Sequence, residues 1–379
     1  MYITLLICLL ITIFLIDTRP FIRKKFNKKN KGYQHFISTE EDYNQFIDKI
    51  LATSLSMAKS KENLTIWSEQ RSFTESVYRL LQFRSQRKHQ FYNYPRAFLY
   101  LGLAKYLIKN NDTGRLEEFK AIFEKLTNQD GTPKFNKILI DHVPFGLCAL
   151  LLYEFYNEKK FLCFAEQIYF SAILNNIDNG VILYRKNSDF VLYDTLGMTI
   201  PFLLKYSKIK NDPSIHELAT NQIKNYLLYG CDMKTGIPVH GFNKETKIKV
   251  GSTNWGRGIG WYVLGLSEFF NNSELLKEMQ NIFVNLKKVE LKNKLYSQFP
   301  GNSLEVDMSA TLMFYYSFQK AKLLFWDKKE LIDILGRFIT KDGYIENTSG
   351  DTYYFNKYSS SFGKSEFSQG MFLLLLSEN

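Results

Sequence analysis

The chain has 379 residues, 45% of them hydrophobic, and a formal net charge of +11. That composition excludes disorder, a collagen-like repeat and a disulfide scaffold, and it supplies ample apolar material for one large core. The basic excess is lopsided, because residues 17 to 33 carry Arg19, Arg23, Lys24, Lys25, Lys28, Lys29 and Lys31 against Asp17; the remainder is only mildly basic, and no nucleic-acid partner is expected.

The first element in chain order is Tyr2 to Ile16, an unbroken apolar run ended by Asp17-Thr18-Arg19-Pro20. As a helix it is about 23 Å long, short of a hydrocarbon core of about 30 Å, a difference that bilayer thinning or snorkelling can absorb. Two readings stand, an uncleaved membrane anchor and a cleaved export signal. With no Lys or Arg before the run and no small-x-small site after it, the anchor is preferred. Its basic flank then faces the cytoplasm, so the expectation is a single-pass protein of the inner (cytoplasmic) membrane with a cytoplasmic catalytic domain; export is the alternative. Residues 1–17 are read as the anchor, 18–38 as a basic juxtamembrane linker and 39–379 as one domain, since no Pro-, Ser- or Gly-rich stretch divides it.

From about residue 40 onward the apolar residues recur at helical spacing and strand-like alternation is scarce. Helices are predicted to begin near residues 41, 94, 115, 141, 159, 191, 212, 254, 273, 306, 327 and 361, which makes six hairpins. Every second helix opens with polar or aromatic residues ahead of an apolar run, at Tyr94, Asp141, Asp194, Asn254, Asp307 and Phe367. Spacings of about 47 to 60 residues are those of a repeated helical hairpin, which cannot bury its apolar face alone. The alternate helices are apolar on nearly all sides, as in an inner ring, whereas intervening ones such as Pro213 to Tyr229 are amphipathic. The expected fold is all-α, an (α/α)6 barrel or six-hairpin toroid preceded by one N-terminal membrane-anchor helix. Closure would gather Tyr94, Asp141, Asp194, Trp255 and Asp307 at one mouth. Cys8, Cys148, Cys163 and Cys231 read as buried thiols, and with scattered histidines no metal and no cofactor is expected.

Six segments carry candidate chemistry: Ile140-Asp141-His142-Val143-Pro144-Phe145-Gly146, Asp194 through Phe202, His240-Gly241-Phe242, Asn254-Trp255-Gly256-Arg257-Gly258-Ile259-Gly260-Trp261-Tyr262, Asp307 through Thr311, and Ser368-Gln369-Gly370. In order and spacing they resemble glycoside hydrolase families 88 and 105, the unsaturated glucuronyl and rhamnogalacturonyl hydrolases, over roughly residues 90 to 379. The resemblance implies hydrolysis of a 4,5-unsaturated uronosyl unit at a non-reducing end. A vinyl ether is protonated on its C4 side, water adds at C5, and the hemiketal opens to release the sugar. Such chemistry needs a carboxyl able to shuttle a proton near neutral pH.

By that resemblance Asp194 is the acid/base, and Asp141 holds a sugar hydroxyl or couples to Asp194 as a like charge; for both, an ordinary helix N-cap is the competing reading. His240 matches a substrate-orienting histidine, against a merely solvated loop residue. Arg257 is a natural partner for a uronate carboxylate or for Asp194, and Tyr94 and Asp307 complete the substrate-binding set. Trp255 and Trp261 could wall a sugar or simply pack; Trp255 is expected to be exposed and Trp261 buried. The family often has Asn at Ile259, Glu at Asp307, Trp at Phe242, His near Tyr184 and Trp just before the catalytic aspartate, where this chain has Leu192 and Tyr193, so the sugar-contacting shell is its own. The partner expected is an anionic oligosaccharide or polysaccharide. Besides the hydrolase, a membrane-anchored role in capsule or exopolysaccharide biosynthesis is the alternative; a sugar epimerase ranks last, since it needs paired histidines and only His240 is well placed.

Overall fold

The computed structural model describes residues 2–27, 39–60, 64, 66, 93–302, 305–352 and 354–378. Thirteen α-helices lie among them. Helix α1 spans Tyr2–Asn27 and α2 Glu40–Lys59; then come α3 Tyr94–Lys109, α4 Thr113–Glu124, α5 Val143–Tyr156, α6 Lys159–Ile168 and α7 Tyr193–Lys210. The series continues with α8 Pro213–Gly230, α9 Gly256–Leu266, α10 Ser273–Lys287, α11 Met308–Lys320, α12 Lys328–Leu335 and α13 Glu366–Leu376.

Local chemistry explains these boundaries. Thr39 and Asp42 form a reciprocal capping box at the start of α2. Asp112, Asp212, Asn272, Asp307 and Asp327 each accept a backbone N–H in the first turn that follows them. Helices α5 and α7 end where Asn157 and Asn211 turn left-handed, a conformation Asn tolerates better than most residues.

Helices α3, α5, α7, α9, α11 and α13 form the inner ring, each packed on the next, and α13 packs back on α3 to close it. Every residue of α9 and α13 is buried, as the apolar runs required. Outer helices bury one stripe; in α8 it is Ile215, Ala219, Ile223 and Tyr226. Closure depends on two glycines facing each other. A Cβ on Gly102 would overlap the Gly370 backbone, and one on Gly370 would overlap the Phe98 carbonyl.

Inner-to-outer connections are short, while the outer-to-inner ones are long and hold all the β-structure. Strand β1 (Ile177–Asp178) pairs with β2 (Val181–Ile182), and β6 (Thr348–Ser349) with β7 (Phe362–Gly363). Strand β4 (Gly241–Asn243) lies between β3 (Phe190–Leu192) and β5 (Lys249–Val250), with Val191 opposite Phe242. All of them sit at the face where the inner helices begin.

The expected spanning anchor is not supported. Among the described residues no helix is long and apolar enough to cross a membrane; the apolar run stops at Ile16, although helix α1 itself continues to Asn27. Residues 28–38 of the expected linker lie outside the described residues. Cys148 and Cys231 are buried, but Cys8, expected with them, is exposed on α1.

His142 precedes α5 with its ring 4.4 Å from that of Phe135, and its Nδ1 accepts the Leu139 N–H at 3.1 Å. Burial pushes its pKa below the ordinary 6.5 against the pull of Asp141. The unfolded chain therefore binds this proton more readily, so the contribution of His142 is complete above about pH 6.5 and is lost as pH falls through the depressed value. Between pH 7 and 5, the melting temperature should fall less steeply for His142→Asn, which keeps an acceptor for Leu139, than for the unmodified chain. Parallel slopes in circular-dichroism melts would remove His142 from the acid response.

Candidate active site

Strand pairing builds the centre of the site. Strand β3 runs directly into α7, whose second residue is Asp194, and β4 directly follows His240, so the β3–β4 pair sets the two side chains side by side. The Asp194 carboxylate Oδ2 is 3.5 Å from His240 Nε2. Below them Tyr193 stacks parallel to the imidazole at 5.0 Å, and the Tyr226 hydroxyl donates to the carbonyls of Val239 and His240 at 2.8 and 3.0 Å. Gly258 has to lack a side chain, since a Cβ there would collide with the Tyr193 hydroxyl.

Neither central group is saturated. Asp194 Oδ2, His240 Nδ1 and the Trp255 indole nitrogen are buried without a hydrogen-bond partner. Orphaned polar atoms of this kind are costly in a native interior and are rarely left without a purpose. The N-cap reading of Asp194 also fails, because Leu192 is the cap residue of α7 and no side-chain cap bond forms there.

Six of the eight residues expected at the site line one cavity of about 180 Å³: Tyr94, Asp194, His240, Trp255, Arg257 and Trp261. Trp255, expected to be exposed, is only 2% exposed; it is wedged between His240 at 5.3 Å and Tyr358 at 5.6 Å. Trp261 is buried against Tyr94, Phe98 and Phe367.

Asp141 and Asp307 do not line the cavity. Asp141 is fully buried; one oxygen accepts the Asn93 N–H at 2.8 Å and the other lies 3.4 Å from Arg185. It thereby ties the start of α3 to the loop before β3. Asp307 caps α11, accepting from the backbone and hydroxyl of Ser309 at 2.9 and 2.6 Å and from the Ser349 hydroxyl at 2.6 Å. Its carboxylate is spent on joining α11 to β6.

Arg257 is committed in a similar way. Its guanidinium donates to the Ser349 carbonyl at 2.8 Å and the Gly350 carbonyl at 2.5 Å, with Asp351 at 3.7 Å. The Tyr94 hydroxyl donates to Asp351, and burial, with that carboxylate beside it, raises the phenol well above its ordinary pKa. Arg257 thus clamps the loop that carries Asp351, Thr352, Tyr354 and Phe355 into the cavity wall. Sequence reasoning missed this loop. Its one signal was an aromatic run, Tyr353-Tyr354-Phe355, in a segment without helical spacing. Tyr184 and Leu192, noted only as departures, line the cavity as well.

Comparison with known proteins adds one family match and three similar structures. The Glycosyl Hydrolase Family 88 model matches residues 69–379. A possible member of the GH105 family from Klebsiella pneumoniae subsp. pneumoniae superimposes with TM-score 0.69 at 18% identity, over 91% of this chain and 94% of that one. A family 105 glycoside hydrolase from C. acetobutylicum gives 0.64 at 21% identity over 80% and 97%, and the unsaturated glucuronyl hydrolase of Bacillus sp. GL1, described as responsible for glycosaminoglycan degradation, gives 0.65 at 14% over 88% and 96%. At such identities the structures speak to the shared six-hairpin fold.

Proposed function

The chain belongs to glycosyl hydrolase family 88, and from that premise we propose that it removes an unsaturated uronosyl unit from the non-reducing end of an oligosaccharide by hydrating the vinyl ether. The observation that carries the reading is the Asp194 carboxylate, which faces the cavity with its buried Oδ2 3.5 Å from His240 and without a hydrogen bond. In this reading Asp194 delivers a proton to the C4 side of the double bond and then, as carboxylate, takes one from the water that adds at C5. His240, its ring fixed by Tyr193, orients the sugar. Asp141 acts from behind, by holding the α3 start and Arg185 in place.

A uronate also needs a cation. Arg257 is buried and bound to two carbonyls, so the role falls to Arg185, which donates to the Tyr184 carbonyl at 2.9 Å and faces Asp141 at 3.4 Å but is 38% exposed and lies 4.2 Å over the ring of the cavity-lining Tyr184. A planar guanidinium suits a carboxylate there. Incubation with lyase-derived unsaturated oligosaccharides tests the reading, since loss of the conjugated alkene removes its ultraviolet absorbance. An inert protein on a broad panel of such substrates would defeat it. The biosynthetic alternative is not favoured, because it was motivated by a spanning anchor that the described residues do not contain.

A further inference from the structure

A second and larger cavity lies inside the barrel beyond the catalytic one. Its volume is about 460 Å³, within the range of roughly 300–1,000 Å³ usual for small-molecule sites. All six inner helices contribute to its wall. It runs from the level of Phe98, Pro144 and Gly197, near the helix starts, to Lys105, Lys208 and Lys320, near their ends. Trp261, which lines the catalytic cavity, packs at a tilt against Phe98 with ring centres 5.4 Å apart and fills the space over Gly197, so a partition of side chains separates the two.

The wall and the mouth differ in chemistry. Leu101, Leu147, Leu151, Leu204 and Leu264 make the wall apolar, while Lys105, Lys205, Lys208 and Lys320 ring the opening. Lys208 and Lys320 lie in last helical turns, where lysine is ordinary; Lys105 and Lys205 lie further inside their helices and still face the same apolar well. Lys105 contacts Glu378 and donates to the Tyr316 hydroxyl at 3.1 Å, Lys320 pairs with Glu268, and Lys205 with Glu154. Burial opposes the charges of Lys105 and Lys320, but Tyr316 and the glutamates beside them hold both pKa values above that of an ordinary lysine. Lys208 has no ion pair among the described residues. With the other three lysines each paired to a glutamate, Lys208 is the excess cation over an apolar well that one narrow chain can fill.

We propose that this well is a second binding site, for a free fatty acid, with the acyl chain along the barrel axis and the carboxylate at Lys208. The assignment is independent of the reaction catalysed at Asp194.

Isothermal titration of the full chain with octanoate, decanoate and dodecanoate, below their micellar concentrations, tests it. One equivalent should bind, tightening about fourfold per added methylene, the factor corresponding to about 0.8 kcal/mol for each buried CH₂. Leu147→Trp and Leu151→Trp, each filling the well from a partly exposed position, should weaken decanoate at least 50-fold; whichever of them keeps the parent melting temperature is decisive. Lys208→Glu should weaken decanoate about tenfold and leave decanol unchanged, while Asp194→Asn should leave both unchanged. Affinity independent of chain length, undiminished binding in a folded Trp variant, or loss of binding in Asp194→Asn would overturn the site. So would dissociation of a dimer by decanoate, which would make the well the seat of the exposed apolar run of α1 from a second copy.

Discussion

Asp194→Asn is expected to lower turnover of an unsaturated uronosyl oligosaccharide by about 10²–10⁴-fold, the range that a positioned general acid or base contributes, while the melting temperature stays within a degree or two. Both halves follow from the surroundings of the carboxylate. The amide occupies the same space but cannot deliver the proton. Because Oδ2 has no hydrogen-bond partner and caps no helix, little of the fold depends on its charge. Asp307→Asn makes the useful contrast, since that carboxylate accepts from Ser309 and Ser349 in a fully buried setting. Replacing one oxygen by an NH₂ sets donor against donor, so this change should lower stability by about 1–3 kcal/mol and alter turnover mainly through the loop it anchors. Steady-state kinetics with thermal melts on the two variants separate a chemical carboxylate from a structural one. Equal turnover in Asp194→Asn and the parent chain would remove Asp194 from the reaction.

That contrast marks where sequence reasoning stops. The twelve predicted helix starts fall within five residues of those observed, from Glu40 for residue 41 to Glu366 for residue 361, because a helix is written locally in its caps and 3.6-residue spacing. Closure of the ring reached Tyr94, Asp194 and Trp255, since inner helices must begin at one face, but the same logic also brought in Asp141 and Asp307, which the cavity does not include; His240, Arg257 and Trp261 were reached through the family resemblance. Asp141, Asp194 and Asp307 look alike in sequence, each an acid just ahead of an apolar run. They part only in three dimensions: Asn93 and Arg185 occupy the first, Ser349 with the neighbouring Ser309 the third, and apart from Ser309 these partners cannot be found from spacing. The strand pair that brings His240 to Asp194 is equally hidden, because three residues are too few to display alternation and their partners lie about fifty positions away. Arg257 was read as the partner of a uronate carboxylate or of Asp194; the carbonyls that claim it belong to residues 349 and 350, in a long connection without periodicity. Trp255 was expected to be exposed, as a wall for a sugar, yet His240 and Tyr358 close over it from two other segments.

Gly370→Ala should cost about 3 kcal/mol or more, the upper end of what overpacking a tight interior costs, and at roughly 1–1.5 °C per kcal/mol for a chain of this size should lower the melting temperature by about 4 °C. The reason is positional. Gly370 lies on the last inner helix and meets the first, where a methyl group would overlap the carbonyl of Phe98 and press on the amide of Leu99. Those obstacles are backbone atoms inside α3, which cannot turn aside as a side chain would, so relief requires α13 to move away from α3. Gly114→Ala controls for intrinsic helix propensity. A Cβ there meets nothing within 4 Å, and an Ala in place of Gly within a helix stabilises by up to about 1 kcal/mol, so that variant should melt slightly higher than the parent. If both glycines tolerated alanine alike, tight α3–α13 contact would not be what closes the ring. The consequence reaches the site, because Tyr94 opens α3 and its ring packs edge-on against Phe367 of α13 at 5.5 Å. Separating the two helices withdraws Tyr94 from Asp351 and loosens the cavity wall. Gly370→Ala should therefore lose affinity for substrate at temperatures well below its own melting point, as a rise in KM that precedes any loss of helical signal.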